Sequence, residues 1–181
     1  MPFSSILLLL SCLSTQQPAL ASRSTDSQTI ETLERHIVDV EQLTSAPERA
    51  DALEQTLAEY GPLLGFEHTL VQQVQNRLAT EVQQWNPQKA EQIWLSILAL
   101  NQQNGERSHL SRLVQYNLSV LYMTQVRLEE AREQLMTVMD TQRKRAPRHF
   151  LMAQILERLV EIDLFVANYA AAEDHAGHLL K

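Results

Sequence analysis

Alanine returns to one place in a cycle of about 41 residues: Ala50, Ala90, Ala131 and Ala172 stand at intervals of 40, 41 and 41. Seven residues after each comes an aliphatic side chain, Leu57, Ile97, Val138 and Leu179. On a helix that partner lies on the same face two turns further on. A single helical hairpin of this length cannot bury its own apolar stripe. A repeat of this size therefore points to helix pairs stacked side by side, an architecture whose continuous surface generally serves binding. Four glycines and six prolines in 181 residues, with no convincing strand-period alternation, favour helix over sheet throughout.

Punctuation in the chain divides it into four pairs. Thr25-Asp26-Ser27-Gln28 has the form of a capping box ahead of Ile30, Leu33, Ile37 and Val40. Ser45-Ala46-Pro47-Glu48 opens a second helix with proline in its first turn, carrying Ala50, Leu53, Leu57 and Tyr60, and Gly61-Pro62 is expected to stop it. The next stripe runs from Phe66 through Leu70, Val74, Leu78 and Val82 to Trp85. Asn86-Pro87 then restarts the chain for Ala90, Ile93, Trp94, Ile97 and Leu98, and Asn104-Gly105 closes that helix. Ser108 to about Met123 and Leu128 to about Arg143 form the third pair, joined by a tight turn at Thr124 to Arg127. Pro147 opens the fourth pair, which carries Phe150, Leu151, Ile155, Leu159 and Ile162 and is completed by Tyr169 to Leu180. The repeats span about 26–61, 66–104, 108–145 and 147–181, with short connections that make successive helices antiparallel.

The N-terminus reads as an address rather than as fold. Ile6 to Leu13 is a short apolar run, and Ala19-Leu20-Ala21 has the alternating small residues that signal peptidase requires, so residues 1–21 are expected to be cleaved after Ala21. Residues 22–181 are then the helical repeat domain. A rival reading takes Leu9-Leu10-Ser11-Cys12 as a lipobox, with Cys12 lipidated and the protein anchored to a membrane. Without such an anchor no membrane association is expected, because the apolar run falls far short of the roughly 20 residues needed to span a bilayer. Cys12 is the only cysteine, so the domain must hold itself together by packing, with neither disulfide nor thiolate metal site. A net charge of −7 argues against nucleic acid as a partner.

The third pair resembles a tetratricopeptide repeat (TPR). That family places Trp, Leu-Gly and Tyr along the first helix and Ala followed by a large apolar residue in the second. The matching run here is Gln115, Leu118-Ser119, Tyr122, Ala131 and Leu135, with Leu128-Glu129-Glu130 before the alanine. The small pair Ser119 and Ala131 would let two helices cross closely while Leu118, Tyr122 and Leu135 fill the surrounding space. The fourth pair keeps the second half of the pattern, Ala167 to Ala172, but has Val160 and Asp163 where a small residue and an aromatic are usual. The resemblance implies an all-α, right-handed α-solenoid of four antiparallel helix pairs whose first helices line a concave binding surface. Carried over in register, it places Tyr116, Asn117, Val120 and Met123 on that surface. Aligning on the alanines adds Gln72, Gln75, Asn76 and Gln83 before them, and Gln154, Glu157, Arg158 and Glu161 after them. An amide-rich lining suits an extended peptide backbone.

Three other constellations are weaker. Arg143-Lys144-Arg145 with Arg148 and His149 is a basic cluster that fits a helix C-terminus followed by a solvated turn, or a dock for anions. His175 and His178, three apart beside Glu173 and Asp174, share a helical face and could ligate a divalent metal, although neither HExxH nor a distant third ligand accompanies them. Asn117-Leu118-Ser119 matches a glycosylation sequon but falls mid-helix. No GxSxG, glycine-rich phosphate loop or nucleophilic cysteine suggests catalysis, and no cofactor is expected. The reading is an exported, periplasmic or extracellular, noncatalytic adaptor or scaffold that binds a protein or peptide. Its alternatives are a metal-binding protein or enzyme using His175 and His178, and a lipid-anchored envelope subunit. Leu179 and Leu180 leave apolar surface that a fold-back, a second protein or homo-oligomerisation through the fourth pair would cover.

Overall fold

The computed structural model describes residues 17–103, 108–145 and 150–179. Eight α-helices and no strand occur among them: α1 Gln17–Glu41, α2 Ala46–Leu64, α3 Thr69–Val82, α4 Pro87–Gln103, α5 His109–Thr124, α6 Leu128–Arg145, α7 Phe150–Phe165 and α8 Tyr169–Leu179. None is long and apolar enough to cross a membrane. The chain forms two compact units, Met1–Val74 and Gln75–Lys181, with the boundary inside α3.

In the first unit α1 packs on α2, and Leu33, Val40, Leu53 and Tyr60 are buried. Arg49 clamps the connection, its guanidinium donating to the carbonyls of Leu43 and Thr44 at 3.0 and 3.1 Å. His36 meets the Tyr60 ring edge-on at 5.4 Å. Two expected boundaries are corrected here. Helix α1 begins at Gln17, so Thr25 to Gln28 lie inside it rather than capping its start. Pro18 in its first turn suits this, since the missing amide there has no intrahelical acceptor. Ala21, the expected cleavage point, falls within α1, and residues 1–16, including Cys12, lie outside the described residues. Gly61-Pro62 does not stop α2, which runs on to Leu64. Gly65 ends it in the left-handed region at φ 87°, its amide donating to the Gly61 carbonyl at 2.9 Å. Gly61 serves packing instead: a Cβ there would come within 2.7 Å of the Phe66 ring.

In the second unit α4 packs on α5, α5 on α6, α6 on α7 and α7 on α8, and the first helices of the third and fourth pairs, α5 and α7, touch each other. This is the neighbour pattern of stacked hairpins. Across the chain, all four cycle alanines are buried, Ala90 and Ala131 completely. Within the second unit Trp94, Ile97, Leu118, Leu135, Ile155 and Leu159 fill the core around this level. The stripe expected to reach Trp85 ends at Val82; Trp85 sits in the turn, half exposed, because Asn86 caps α4 by accepting the Lys89 amide. Ser108 caps α5 through the Ser111 amide, and the buried Asn101 of α4 donates to the Ser111 hydroxyl at 3.0 Å. The Asn101 bond joins α4 to α5 across residues 104–107, which are not described, Asn104 and Gly105 among them.

The turns inside the third and fourth pairs are built alike. Arg127 donates its amide to the Tyr122 carbonyl and Val126 to that of Met123; 41 residues on, Asn168 donates to Asp163 and Ala167 to Leu164. This is the Schellman arrangement, which requires a left-handed residue. Val126 at φ 61° and Ala167 at φ 56° supply it. A β-branched residue is costly there, by roughly 1–2 kcal/mol. Because Val126 is exposed and little packing is lost, Val126→Gly should stabilise the protein by about 1 kcal/mol after the extra chain entropy of glycine is subtracted. A urea midpoint that stays put or falls would contradict that account of the turn.

Candidate functional site

Polar joints tie successive pairs in the second unit. Glu91 on α4, the residue after Ala90, accepts from the Tyr122 hydroxyl of α5 at 3.1 Å and from both terminal nitrogens of Arg127 at 2.9 and 3.0 Å. Arg127 also pairs with Glu130 and stacks 4.1 Å from the Tyr122 ring centroid. Hydrogen bonds from Arg127, then Tyr122, hold the Glu91 carboxyl below its usual range against the opposing effect of burial. Burial first, then the Glu91 charge, pushes the Tyr122 phenol up to about 12.

One cycle later the same two positions carry Arg132, after Ala131, and Asp163, at the place of Tyr122. They form an ion pair of reversed polarity, and Asp163 is wholly buried. The Asp163 carboxylate also meets His175 Nδ1 on α8 at 2.7 Å. Desolvation lowers the His175 pKa, with Arg132 and Arg143 acting in the same direction and Asp174 opposing. A neutral imidazole donating from Nδ1 fits this position, since Arg132 already balances the carboxylate. The aspartate that breaks the resemblance in the fourth pair is thus the centre of its joint.

The residues expected to line the binding surface divide into two groups. Gln72 and Asn76 do not face outward as expected: only 3% and 8% of their surfaces are exposed. They lie four apart on one helical face, and Asn76 is drawn inward because its Oδ1 accepts from the fully buried Trp94 indole at 2.9 Å and from Asn117 Nδ2 at 3.1 Å. The Trp94 nitrogen needed an acceptor, and Asn76 is it. Gln75, Gln83, Tyr116, Asn117, Val120, Met123, Gln154 and Arg158 are half-buried, and Glu157 and Glu161 are exposed. Asn76, Asn117 and Arg158 occupy one register, 41 residues apart on α3, α5 and α7. The structure joins the first two directly, and Tyr116 stands close enough to Arg158 to hold its pKa up. Arg158 also pairs with Glu161 at 2.6 and 2.8 Å. Interaction with Tyr116 is the largest cause of its raised pKa, burial opposes it, and Glu161 adds to it. Two polar atoms on this face, Arg158 Nε and Gln75 Oε1, are shielded without a hydrogen-bond partner.

Among the residues expected to set the repeat, Ser119, Leu118, Ala131 and Leu135 are fully buried on α5 and α6, and the Ser119 hydroxyl returns to the Tyr116 carbonyl at 2.6 Å. His175 is committed to Asp163, and His178 lies 4.0 Å from Asp174. No group of three or more His, Cys, Asp or Glu side chains among the described residues is placed to hold a metal. Arg143 and Lys144 fall in the last turn of α6, where cations complement the helix dipole, and the side chain of Arg145 lies outside the described residues. Arg148, His149 and Leu180 lie outside the described residues. Sequence reading missed an open groove of about 270 Å³ between α1 and α2, lined by His36, Asp39, Val40, Thr56 and Glu59.

Neither a protein-family model nor a curated protein matches the chain. Solved structures do. BtubC (BKLC) of P. vanneervenii superimposes with a TM-score of 0.66 at 18% identity, over 91% of this chain and 74% of that one. TPR-like repeats of a Podosopora anserina protein assigned as a kinesin light chain give 0.60 at 19% identity, over 93% of both chains, and their Q17M variant gives 0.62. The fold is TPR-like. At such identities the likeness concerns the fold alone. The TPR-like pair is lengthened here: α5 and α6 have 16 and 18 residues, and seven residues beyond the usual 34 add roughly two turns per pair.

The joints make two stability predictions. Arg132→Ala strips the buried Asp163 of its counterion and should cost about 3 kcal/mol, whereas Arg35→Ala, which breaks an exposed 3.8 Å pair with Glu31, should change the urea midpoint by less than about 0.5 kcal/mol equivalent. A depressed folded-state pKa for His175 means that the unfolded chain takes up the proton first. Its contribution is complete above about pH 6.5 and falls away as pH drops through the folded value. Stability measured downward from pH 7 should therefore fall less steeply in His175→Gln than in the parent, and equal slopes would rule this out.

Proposed function

We propose that the protein is an exported, noncatalytic TPR-like adaptor that binds a protein or peptide segment through the first-helix face of its second unit. One observation carries this: Asn76, Asn117 and Arg158 share a register on three first helices, the first two are joined by a hydrogen bond, and half-exposed Tyr116, Val120 and Met123 border them. Such a face combines fixed polar groups with apolar area. An extended backbone offers alternating donors and acceptors that match them. Stacked repeats repeat that chemistry at a constant spacing, which suits a chain running across them. Export rests on the leader-like residues 1–21 and on a domain that needs no cysteine.

A photocrosslinking residue placed at Val120 or Met123, followed by mass spectrometry of the adduct from native envelope, should trap one protein that Tyr116→Ala and Arg158→Ala both release. Each should weaken binding by about tenfold, in line with the loss of a charged or interfacial hydrogen bond. A trapped protein indifferent to both substitutions would move the binding surface elsewhere. N-terminal sequencing of the native protein should begin at Ser22; a mature chain beginning at a lipidated Cys12 would replace the free form with an anchored one.

A further inference from the structure

The two joints fix more than helix spacing. Glu91, near the start of α4, reaches Arg127 in the turn after α5, and Arg132, near the start of α6, reaches Asp163 near the end of α7. The turns inside the second, third and fourth pairs therefore lie along one edge of the second unit. Each carries exposed apolar side chains. Trp85 is 49% exposed, and Val126, 41 residues on, is 63% exposed. A further 41 residues lead to Ala167, with exposed Phe165 and Val166 just before it. Thr124, at the register of Phe165 one pair earlier, is exposed although α7 and α8 follow it, so this position faces outward inside the array as well.

The same edge carries no unengaged charge. Residues 82–88, 116–126 and 164–172 contain no Asp, Glu, Lys or Arg, in a chain where those make up 20%. Arg127, beside Val126, is held by Glu91 and Glu130. Gln83, Gln84, Asn86, Thr124, Gln125 and Asn168 flank the apolar tips in sequence. The connections between pairs differ in composition, since residues 104–107 and 146–149 carry Glu106, Arg107 and Arg148. Val126 adds an independent sign. Its β-branched side chain stands at φ 61° on an exposed turn, where it gains the fold little packing and strains the backbone. Strain kept without benefit to folding points to a side chain used outside the fold.

We infer that this edge is a peripheral membrane contact, with Trp85, Val126 and Phe165 entering the headgroup and upper acyl region of a zwitterionic bilayer. Three tips in a row, each a helix pair from the next, suit a fluid surface that closes around every side chain; a protein would need a separate pocket for each. Apolar side chains rimmed by polar ones mark such contacts, and tryptophan is enriched at that level of a bilayer. A net charge of −7 disfavours anionic headgroups, so burial of the apolar tips supplies the attraction. The contact needs neither a spanning helix nor a lipid on Cys12, and it departs from the expectation that Cys12 alone would bring the chain to a membrane. It is separate from the first-helix face proposed for peptide binding and does not rest on that reading.

Trp94 is fully buried, so a change in tryptophan emission on adding vesicles reports Trp85. With phosphatidylcholine vesicles the emission of the full chain should shift to the blue and be quenched by brominated acyl chains. Val126→Asp, in a backbone conformation that aspartate tolerates better than valine, should weaken vesicle affinity about tenfold, and Phe165→Asp should do the same, both with unaltered circular dichroism. Leu95→Asp, equally exposed on the body of α4, should leave the affinity unchanged. The inference is overturned by emission that brominated lipid does not quench, or by quenching that survives Val126→Asp, as anchoring through residues 1–21 would give. Quenching that requires anionic lipid overturns it too, as does a photocrosslinker at Val126 that attaches to a protein instead of lipid.

Discussion

Everything in the second unit hangs on close approach of paired helices at one level, secured by a methyl side chain that occupies almost no volume. Ala90, Ala131 and Ala172 are buried where their helices meet the rest of the unit. A larger side chain there would force the helices apart and open voids around Leu118 and Leu135, since interiors at crystal-like density have no slack to absorb it. The neighbour immediately after Ala90 and that after Ala131 then face the next pair. Packing distance and joint chemistry are thus encoded by two adjacent residues.

The joints show how a repeat can keep its geometry while changing its chemistry. Glu91 with Tyr122 and Arg127 is a partly solvated network in which one carboxylate accepts from two side chains. Arg132 with Asp163 and His175 places a carboxylate entirely out of water and balances it from two helices. The second arrangement stabilises less than its contacts suggest, because desolvation of Asp163 offsets most of the attraction. What it supplies is selectivity. An acid at the register of Asp163 accepts a basic neighbour and rejects an acidic one, so each joint admits only its own partner.

A face that binds must be partly unsatisfied, whereas a core must not. Asn76 shows the line between the two. It belongs to the outward register by spacing, yet the indole of Trp94 claims its oxygen and Asn117 shares it. The residue is therefore a structural bridge beneath the surface formed by Tyr116, Asn117 and Arg158.

The residues by themselves determined the helical class, the 41-residue cycle, the helix pairing and the buried level of the alanines, because periodicity and small side chains act locally and recur. Ser108 as the start of a helix and Thr124 to Arg127 as a turn were legible for the same reason: capping and Schellman bonds reach only a few residues. Tertiary structure decided what depended on a distant partner. Gly61 is a seat for Phe66, Gln72 and Asn76 are buried, Trp85 is outside its stripe, and Asp163 is at the centre of a joint built from three helices. Burial of a polar side chain depends on whether a complementary group arrives from elsewhere in the chain, and no window of neighbouring residues contains that information.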